Sequence, residues 1–260
     1  MIWATLSEVT ELDRGRLRTN LRRLLLRMAD AVIVNGRSGA RYIELFGVSV
    51  DKIFKVPQTT DIQPFLDLPI SRQEQPTRRL LYSGRLVELK GLGPFLIQLC
   101  LWAADHSSQK IELTFVGNGP ARAEIERLAL PANLRLRFLG NRPYADLPEV
   151  YGSADVLIFP TLADEWGLVV VEAMAAGLPV LGSLYSQAVE DLVIDNETGW
   201  TFRPDHPDEM SGALDRMLST PPAALLDMKC RARESVRHLT PARMAQDIEA
   251  ALTYVRTHGS

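Results

Sequence analysis

The sequence predicts an α/β protein whose main part is a Rossmann-like, doubly wound parallel sheet. Short, almost wholly apolar runs alternate with helical patterns through the second half of the 260-residue chain, and hydrophobic residues make up 46% of the composition. Strands that are buried on both faces form such continuous apolar runs. A helix between consecutive strands indicates that the strands are parallel.

Six strands of this sheet are predicted, each followed by a helix. The strands are expected over 79–84, 111–117, 134–140, 154–161, 178–183 and 199–204. The helices are expected over about 93–105, 120–129, 145–153, 168–176, 186–193 and 206–218. Two further helices, at about 222–237 and 241–256, are expected to close the chain.

The N-terminal part holds only one or two α/β units. A helix is expected over about 14–29, a strand over 29–36, a helix over 37–46 and a strand over 52–58. The segment 61–77 is polar and carries three prolines, which predicts a linker. The predicted organisation is a partial N-terminal α/β segment (1–60), this linker, a Rossmann-like domain (78–220) and C-terminal helices (221–260).

Bulk composition excludes several classes of protein. A net charge of −3 argues against a nucleic-acid binder. Cys100 and Cys230 lie in helical patterns and predict free thiols in a reducing compartment. No apolar run reaches the length of a membrane span, and the N-terminus lacks the hydrophobic block of a signal peptide. A cytoplasmic location is therefore expected.

The helical pattern at about 14–29 is basic and amphipathic. Six arginines interleave with leucines between Arg14 and Arg27. Two interpretations stay open: peripheral contact with anionic lipid at the inner face of a membrane, or a solvated helix packed on its own domain.

The first candidate site is the apolar segment 162–182, which contains Glu172. A buried carboxylate is costly unless a partner is supplied. Gly167 is expected to open a helix at the carboxyl end of a strand, so that the N–H groups of Gly167, Leu168 and Val169 face a bound anion. One turn further on, Glu172 can accept both hydroxyls of a ribose. The alternative is an ion pair with an arginine of the same domain.

The second candidate site is the segment 83–95. Arg85 and Lys90 stand just before a helix whose expected N-cap is Gly93 and whose expected first residue is Pro94. Cations are electrostatically misplaced at the positive end of a helix, so an anion such as a diphosphate is expected between them. The alternative is a pair of solvated cations, one of them neutralised by Glu88.

The third candidate site is the segment 115–128, where Gly117 and Gly119 are expected to let the backbone approach a ligand. A dinucleotide fingerprint fails because Arg122 occupies the third glycine position. The sequence has no phosphate-binding P-loop, no DxD motif with apolar flanks and no histidines at metal-ligand spacing. Neither a metal nor another cofactor is expected.

Five segments together resemble the C-terminal half of GT-B-fold retaining glycosyltransferases, and more narrowly the group 1 transferases. They are "GRLVELKG" (84–91), "FVGNGP" (115–120), "FLGN" (138–141), "ADVLIFPT" (154–161) and "DEWGLVVVEAMAAGLPVLGS" (164–183). The resemblance covers about 78–205, and 27–48 more loosely resembles the end of the family's N-terminal domain. It implies metal-independent transfer of a sugar, with retained configuration, from a nucleotide-diphosphate sugar to an acceptor hydroxyl.

The resemblance also implies roles for individual residues. Arg85 and Lys90 grip the donor diphosphate, Glu172 holds the ribose, and Asp164 takes the first position of the family's E-x7-E pair and binds hydroxyls of the donor sugar. The expected catalytic residues are Asp164, Arg85 and Lys90. The wider expected donor-binding set is Gly84, Arg85, Lys90, Gly117, Gly119, Asn141, Arg142, Asp164, Gly167, Leu168, Val169 and Glu172, with Asn141 and Arg142 next to the base.

The family's acceptor-binding N-terminal domain is about as large as its C-terminal domain, whereas this sequence matches only a part of it. Three interpretations stay open: the tail of a longer transferase, a chain that works with a second chain, and a non-catalytic nucleotide-sugar binder. A nicotinamide dehydrogenase is disfavoured because its glycine pattern is missing. An epimerase or a sugar phosphorylase of the same fold is a further alternative.

Overall fold

The computed structural model describes residues 1–7, 10, 15–70 and 77–259. Within these ranges the chain forms a three-stranded sheet and a six-stranded sheet, and both are parallel throughout. None of the described helices combines the length and the apolar character needed to cross a membrane.

The three-stranded sheet belongs to an N-terminal unit with strand order β1-β2-β3. Its elements are β1 (Ile2–Trp3), α1 (Arg16–Met28), β2 (Val32–Val34), α2 (Arg37–Glu44) and β3 (Ile53–Lys55). Strand β2 is the centre of this sheet and is fully buried. The predicted helix at 14–29 corresponds to α1, and Arg14 lies outside the described residues.

The segment predicted as a linker contains a short helix, α3 (Gln63–Leu66). Its Phe65 is fully buried. The ring packs edge-on against Tyr151 at a centroid distance of 5.2 Å. Residues 71–76 of this segment lie outside the described residues.

The six-stranded sheet has the order β6-β5-β4-β7-β8-β9, which confirms the predicted doubly wound parallel sheet. Its elements are β4 (Thr77–Ser83), α4 (Leu92–Asp105), β5 (Lys110–Val116), α5 (Arg122–Ile125), β6 (Leu134–Gly140), α6 (Leu147–Gly152), β7 (Val156–Phe159), α7 (Leu168–Ala175), β8 (Val180–Ser183), α8 (Gln187–Leu192), β9 (Gly199–Phe202) and α9 (Pro207–Ser219).

Each face of the six-stranded sheet carries its own apolar core. Leu80 and Tyr82 of β4 point into one core and Leu81 into the other.

Helix α4 begins earlier than predicted. Its first residue is Leu92 and its N-cap is Gly91, so Gly93 is not the N-cap and Pro94 is not the first helical residue. Gly91 adopts φ +67°, and a Cβ there would stand 2.0 Å from the carbonyl oxygen of Pro160. The close approach of these two loops therefore fixes where the helix starts.

Two long helices close the chain: α10 (Pro222–Val236) and α11 (Pro241–His258). Helix α10 packs on α7, whereas α11 returns to β3 of the N-terminal unit. Its Ala251 is buried together with Ile33 and Val56. The last helix therefore stabilises the N-terminal unit.

Candidate active site

A cavity of about 290 Å³ lies where the strand order reverses between β4 and β7, at their carboxyl ends. This is the position at which open α/β sheets bind ligands. The cavity is lined by Asn35, Gln58, Ser83, Gly84, Lys90, Phe159, Asp164, Glu165, Trp166, Gly167, Leu168 and Val169. Six of the predicted site residues belong to this lining: Gly84, Lys90, Asp164, Gly167, Leu168 and Val169.

Lys90 and Asp164 form a part-buried ion pair in the cavity wall. The Nζ of Lys90 stands 2.5 Å from Oδ2 of Asp164, and the two side chains are 22% and 17% exposed. The other carboxylate oxygen, Oδ1, accepts the N–H of Trp166 at 3.1 Å. The sequence predicts both residues for the same site but not their bond. A bound phosphate would compete with Asp164 for the Lys90 ammonium.

Glu172 is buried on α7 and is 5% exposed. Its Oε2 accepts a hydrogen bond from the hydroxyl of Tyr151 at 3.1 Å. No described ion pair includes Glu172, so the alternative of an internal arginine partner is wrong for this part of the chain. Burial raises the pKa of the Glu172 carboxyl, and the hydrogen bond from Tyr151 opposes that rise.

Tyr151 connects Glu172 with the cavity. Its hydroxyl also interacts with the side chain of Ser83, which lines the cavity. Burial, reinforced by the nearby Glu172, raises the pKa of Tyr151 well above its ordinary value. The phenol therefore stays protonated and remains a hydrogen-bond donor.

The first turn of α7 forms another wall of the cavity. Gly167 is its N-cap with φ +111°, in agreement with the predicted helix start. The first N–H groups of a helix have no intrahelical acceptor. Those of Gly167, Leu168 and Val169 belong to residues that line the cavity, where they suit an anion.

Six predicted donor-binding residues lie outside the cavity lining: Arg85, Gly117, Gly119, Asn141, Arg142 and Glu172. Arg85 is exposed on the loop after β4, and Asn141 and Arg142 are exposed just after β6. Their roles in gripping the diphosphate and meeting the base stay predictions.

Gly117 and Gly119 are explained by contacts within the protein. A Cβ on Gly117, which has φ +113°, would stand 2.1 Å from the carbonyl oxygen of Gly84. A Cβ on Gly119 would stand 2.3 Å from that of Leu86. The expected close approach at these glycines is therefore to a neighbouring loop, one residue of which lines the cavity.

The N-terminal unit contributes residues to the cavity that sequence reasoning missed. Asn35 donates from Nδ2 to the carbonyl oxygen of Glu165 at 3.0 Å, and the Nε1 of Trp166 donates to the carbonyl oxygen of Gln58 at 2.8 Å. Asn35 directly follows the buried strand β2. The rule that ligands bind after the carboxyl ends of strands could have identified it.

The described residues contain no group of three or more His, Cys, Asp or Glu side chains that could hold a metal ion. Metal independence stays a prediction, because it concerns the reaction and not this arrangement alone.

Comparison with known proteins identifies the family. The model of a family described as glycosyl transferases group 1 matches residues 68–235. The chain belongs to the group 1 glycosyl transferases. The six-stranded parallel sheet agrees with the GT-B fold that the sequence predicts for this family.

Two curated relatives illustrate the match. The chain is 32% identical over 144 residues to an uncharacterized glycosyltransferase of Methanocaldococcus jannaschii, covering 55% of this chain and 36% of that protein. It is 28% identical over 205 residues to a D-inositol 3-phosphate glycosyltransferase of Nocardia farcinica, covering 73% and 45%. The match spans less than half the length of either relative.

Solved structures share the fold over nearly the whole chain. Sucrose-phosphate synthase from Thermosynechococcus elongatus superposes with a TM-score of 0.75 at 25% identity, covering 96% of this chain and 64% of that one. The Anabaena protein HepE, solved in complex with UDP and glucose, superposes with a TM-score of 0.74 at 18% identity, covering 97% and 71%.

Proposed function

We propose that this chain binds the donor in a glycosyltransferase that moves a sugar from a nucleotide-diphosphate sugar to an acceptor hydroxyl with retained configuration and without a metal. One observation carries the proposal. Lys90, Asp164 and the first turn of α7 converge on one cavity at the point where strand order reverses. The structure of HepE with UDP and glucose supports this choice of donor.

In the proposed reaction, charge develops on the departing nucleoside diphosphate. The Lys90 ammonium and the amides of Gly167, Leu168 and Val169 would stabilise that charge, as preorganised donors do in a site shielded from water. Asp164 would turn from Lys90 towards the hydroxyls of the sugar. Glu172, held by Tyr151, would accept the ribose hydroxyls.

The alternative is a nucleotide-sugar binder that needs a second chain for activity. The match spans 36% and 45% of two curated relatives. Both functions require the same donor site, and they differ only in turnover.

A cytoplasmic location is part of the proposal. Cys100 and Cys230 are both free thiols, as expected in a reducing compartment.

Calorimetric titration of the chain with UDP, GDP, ADP and the corresponding nucleotide-sugars tests the donor site. We expect one nucleoside diphosphate to bind, and its affinity to be unchanged by EDTA. A chain that binds no member of the panel at millimolar concentration would contradict the proposal. Incubation with a radiolabelled donor and candidate acceptors then separates the alternatives, because a binder retains affinity without releasing free nucleoside diphosphate.

A further inference from the structure

Helix α1 turns its apolar side outward. Five large side chains are exposed: Leu17 (87%), Leu21 (57%), Leu24 (57%), Leu25 (51%) and Met28 (72%). At 3.6 residues per turn these five fall within an arc of about 100°, and we call them the apolar stripe. Leu26, on the opposite side of the helix, is 3% exposed and anchors α1 to its unit. The helix is attached to its own domain, but its stripe is not packed there.

Arginines border the stripe. Helix α1 contains five arginines and no acidic residue, although the whole chain has a net charge of −3. By the same helical geometry Arg18 lies beside the stripe on one side and Arg27 on the other. Both are exposed. One exposed arginine therefore flanks each side of the stripe.

An exposed tryptophan adjoins the stripe. Trp3 is 42% exposed and shares a groove of about 370 Å³ with Leu21 and Leu25 of α1. The other three tryptophans are buried, with exposed fractions of 8% for Trp102 and 2% each for Trp166 and Trp200. Tryptophan prefers the boundary between headgroups and acyl chains.

We propose that the apolar stripe and Trp3 bind the surface of an anionic lipid bilayer. Five exposed large apolar residues on one helix face mark a binding surface. Their flanking arginines match the phosphates of anionic headgroups, as in helices that lie in the membrane interface. A second copy of this chain is disfavoured as the occupant because its α1 would bring like charges together.

The apolar stripe is separate from the nucleotide site, since none of its five residues lines the cavity between β4 and β7. Trp3 adjoins that lining, because its Nε1 donates to Oδ1 of Asn35 at 3.5 Å. L17E/L21E should therefore leave nucleoside diphosphate binding unchanged, so that this binding and lipid binding can fail separately.

Cosedimentation of the 260-residue chain with vesicles tests the inference. One set contains about 30 mol% phosphatidylglycerol in phosphatidylcholine, and the other contains phosphatidylcholine alone. We expect binding to the anionic vesicles only, weakening as salt is raised. Tryptophan emission should shift to shorter wavelength on binding, and Trp3→Phe should remove this shift because the remaining tryptophans are already buried.

The matched variants place glutamates on two exposed apolar residues one turn apart. L17E/L21E should reduce partitioning onto anionic vesicles by about tenfold or more, because it removes apolar contacts and adds repulsion. I97E/L101E on α4 replaces side chains that are 59% and 58% exposed and should leave partitioning unchanged. R18Q/R27Q should reduce both the affinity and its salt dependence. Circular dichroism and thermal unfolding verify that each variant is folded.

Three outcomes would overturn the inference. The first is a wild-type chain that does not bind anionic vesicles. The second is equal binding by wild type and L17E/L21E. The third is a concentration-dependent dimer in analytical ultracentrifugation that L17E/L21E abolishes, since that would make the stripe an interface between copies.

Discussion

The ammonium of Lys90 pairs with Asp164 in the structure and is also expected to bind the diphosphate of the ligand. Lys90→Met should weaken binding of the nucleoside diphosphate by about 1.5–3 kcal/mol, the usual contribution of a hydrogen bond to a charged group. Lys110→Met is the matched control, since Lys110 begins strand β5 at the opposite end of the sheet. Calorimetric titration measures both variants. Equal losses in the two would show that the effect is only one of net charge.

Asp164 is expected to have opposite effects on the two kinds of ligand. Asp164→Asn removes the carboxylate that pairs with Lys90 at 2.5 Å, so the ammonium is released for phosphate. Affinity for the nucleoside diphosphate should stay the same or rise. The additional affinity of the nucleotide-sugar should disappear, because the sugar hydroxyls lose their acceptor. Titration with both ligands measures the difference, and a parallel loss for both would contradict the assignment.

The ionised carboxylate of Glu172 should lower the stability of the folded protein, although it supports the binding of nucleoside and nucleotide. Burial raises its pKa, so the folded protein binds this proton more tightly than the unfolded chain does. The contribution of Glu172 to the stability of the folded protein therefore falls as the pH rises from 4.5, the ordinary pKa of the group, through its raised pKa. Glu172→Gln should be at least as stable as wild type at pH 8, with the difference vanishing near pH 4, and should bind nucleoside and nucleotide more weakly.

Thermal unfolding at the two pH values and titration with the nucleoside measure these effects. The control is Glu249→Gln on helix α11, where the side chain is exposed. A stability loss in Glu172→Gln at pH 8 would show that the ionised carboxylate is fully compensated by its surroundings.

At the scale of elements, two glycines at the start of α4 have opposite expected effects. Gly91→Ala should destabilise the protein by about 2 kcal/mol or more, because alanine is disfavoured at positive φ and its Cβ would meet the backbone of Pro160. Gly93→Ala should stabilise it by about 0.5–1 kcal/mol, because its Cβ meets nothing within 4 Å and alanine favours the helix. Urea unfolding measures both changes. The same sign for both variants would contradict the account of the helix start.

The central strands of the large sheet are predictable as apolar runs buried from both sides, and β7 and β8 are fully buried along their length. The edge strand β6 is mostly part-exposed and is predictable from its alternating pattern of residues. Strand β1 escapes prediction because it has two residues. Helix α3 escapes prediction because it lies in a proline-rich segment and the burial of Phe65 depends on Tyr151, far along the chain. Local pattern identifies elements that their own composition determines, and it misses those that depend on distant contacts.

In the candidate site, too, features set by local sequence are predictable and contacts between distant residues are not. Lys90, Asp164 and the α7 turn are predictable as neighbours because parallel strands bring their carboxyl ends to one edge. The bond between Lys90 and Asp164 joins residues 74 positions apart and depends on how two loops fold. The same holds for the hydrogen bond between Tyr151 and Glu172, which joins residues 21 positions apart.

At the scale of the whole molecule, the N-terminal unit holds the loop that carries Asp164. Salt bridges join α2 to α8, with Arg37 2.8 Å from Asp191 and Arg41 2.7 Å from Glu190. These pairs are part-exposed and contribute little by themselves. The buried polar contacts between the unit and the loop matter more, because an unpaired group there has no water to bind.

Gln187 is the centre of those buried contacts and is 2% exposed. Its Oε1 accepts the N–H of Gly39 at 3.0 Å, and its Nε2 donates to the carbonyl oxygens of Glu165 at 2.8 Å and Leu6 at 3.3 Å. Gln187→Ala would leave the N–H of Gly39 and the carbonyl oxygen of Leu6 unpaired, whereas that of Glu165 would keep the hydrogen bond from Asn35. The variant should destabilise the protein by about 2–3 kcal/mol. Because Glu165 is adjacent to Asp164, the variant should also weaken nucleotide-sugar binding more than nucleoside diphosphate binding.

Urea unfolding and titration with both ligands test this coupling. The matched control is Gln246→Ala, an exposed glutamine of α11 that should change neither measurement. A Gln187→Ala chain that loses stability but keeps the full affinity difference between the two ligands would show that the N-terminal unit supports the fold without positioning the acidic loop. Loss of both would show that one buried side chain connects the stability of the N-terminal unit with the geometry of the cavity.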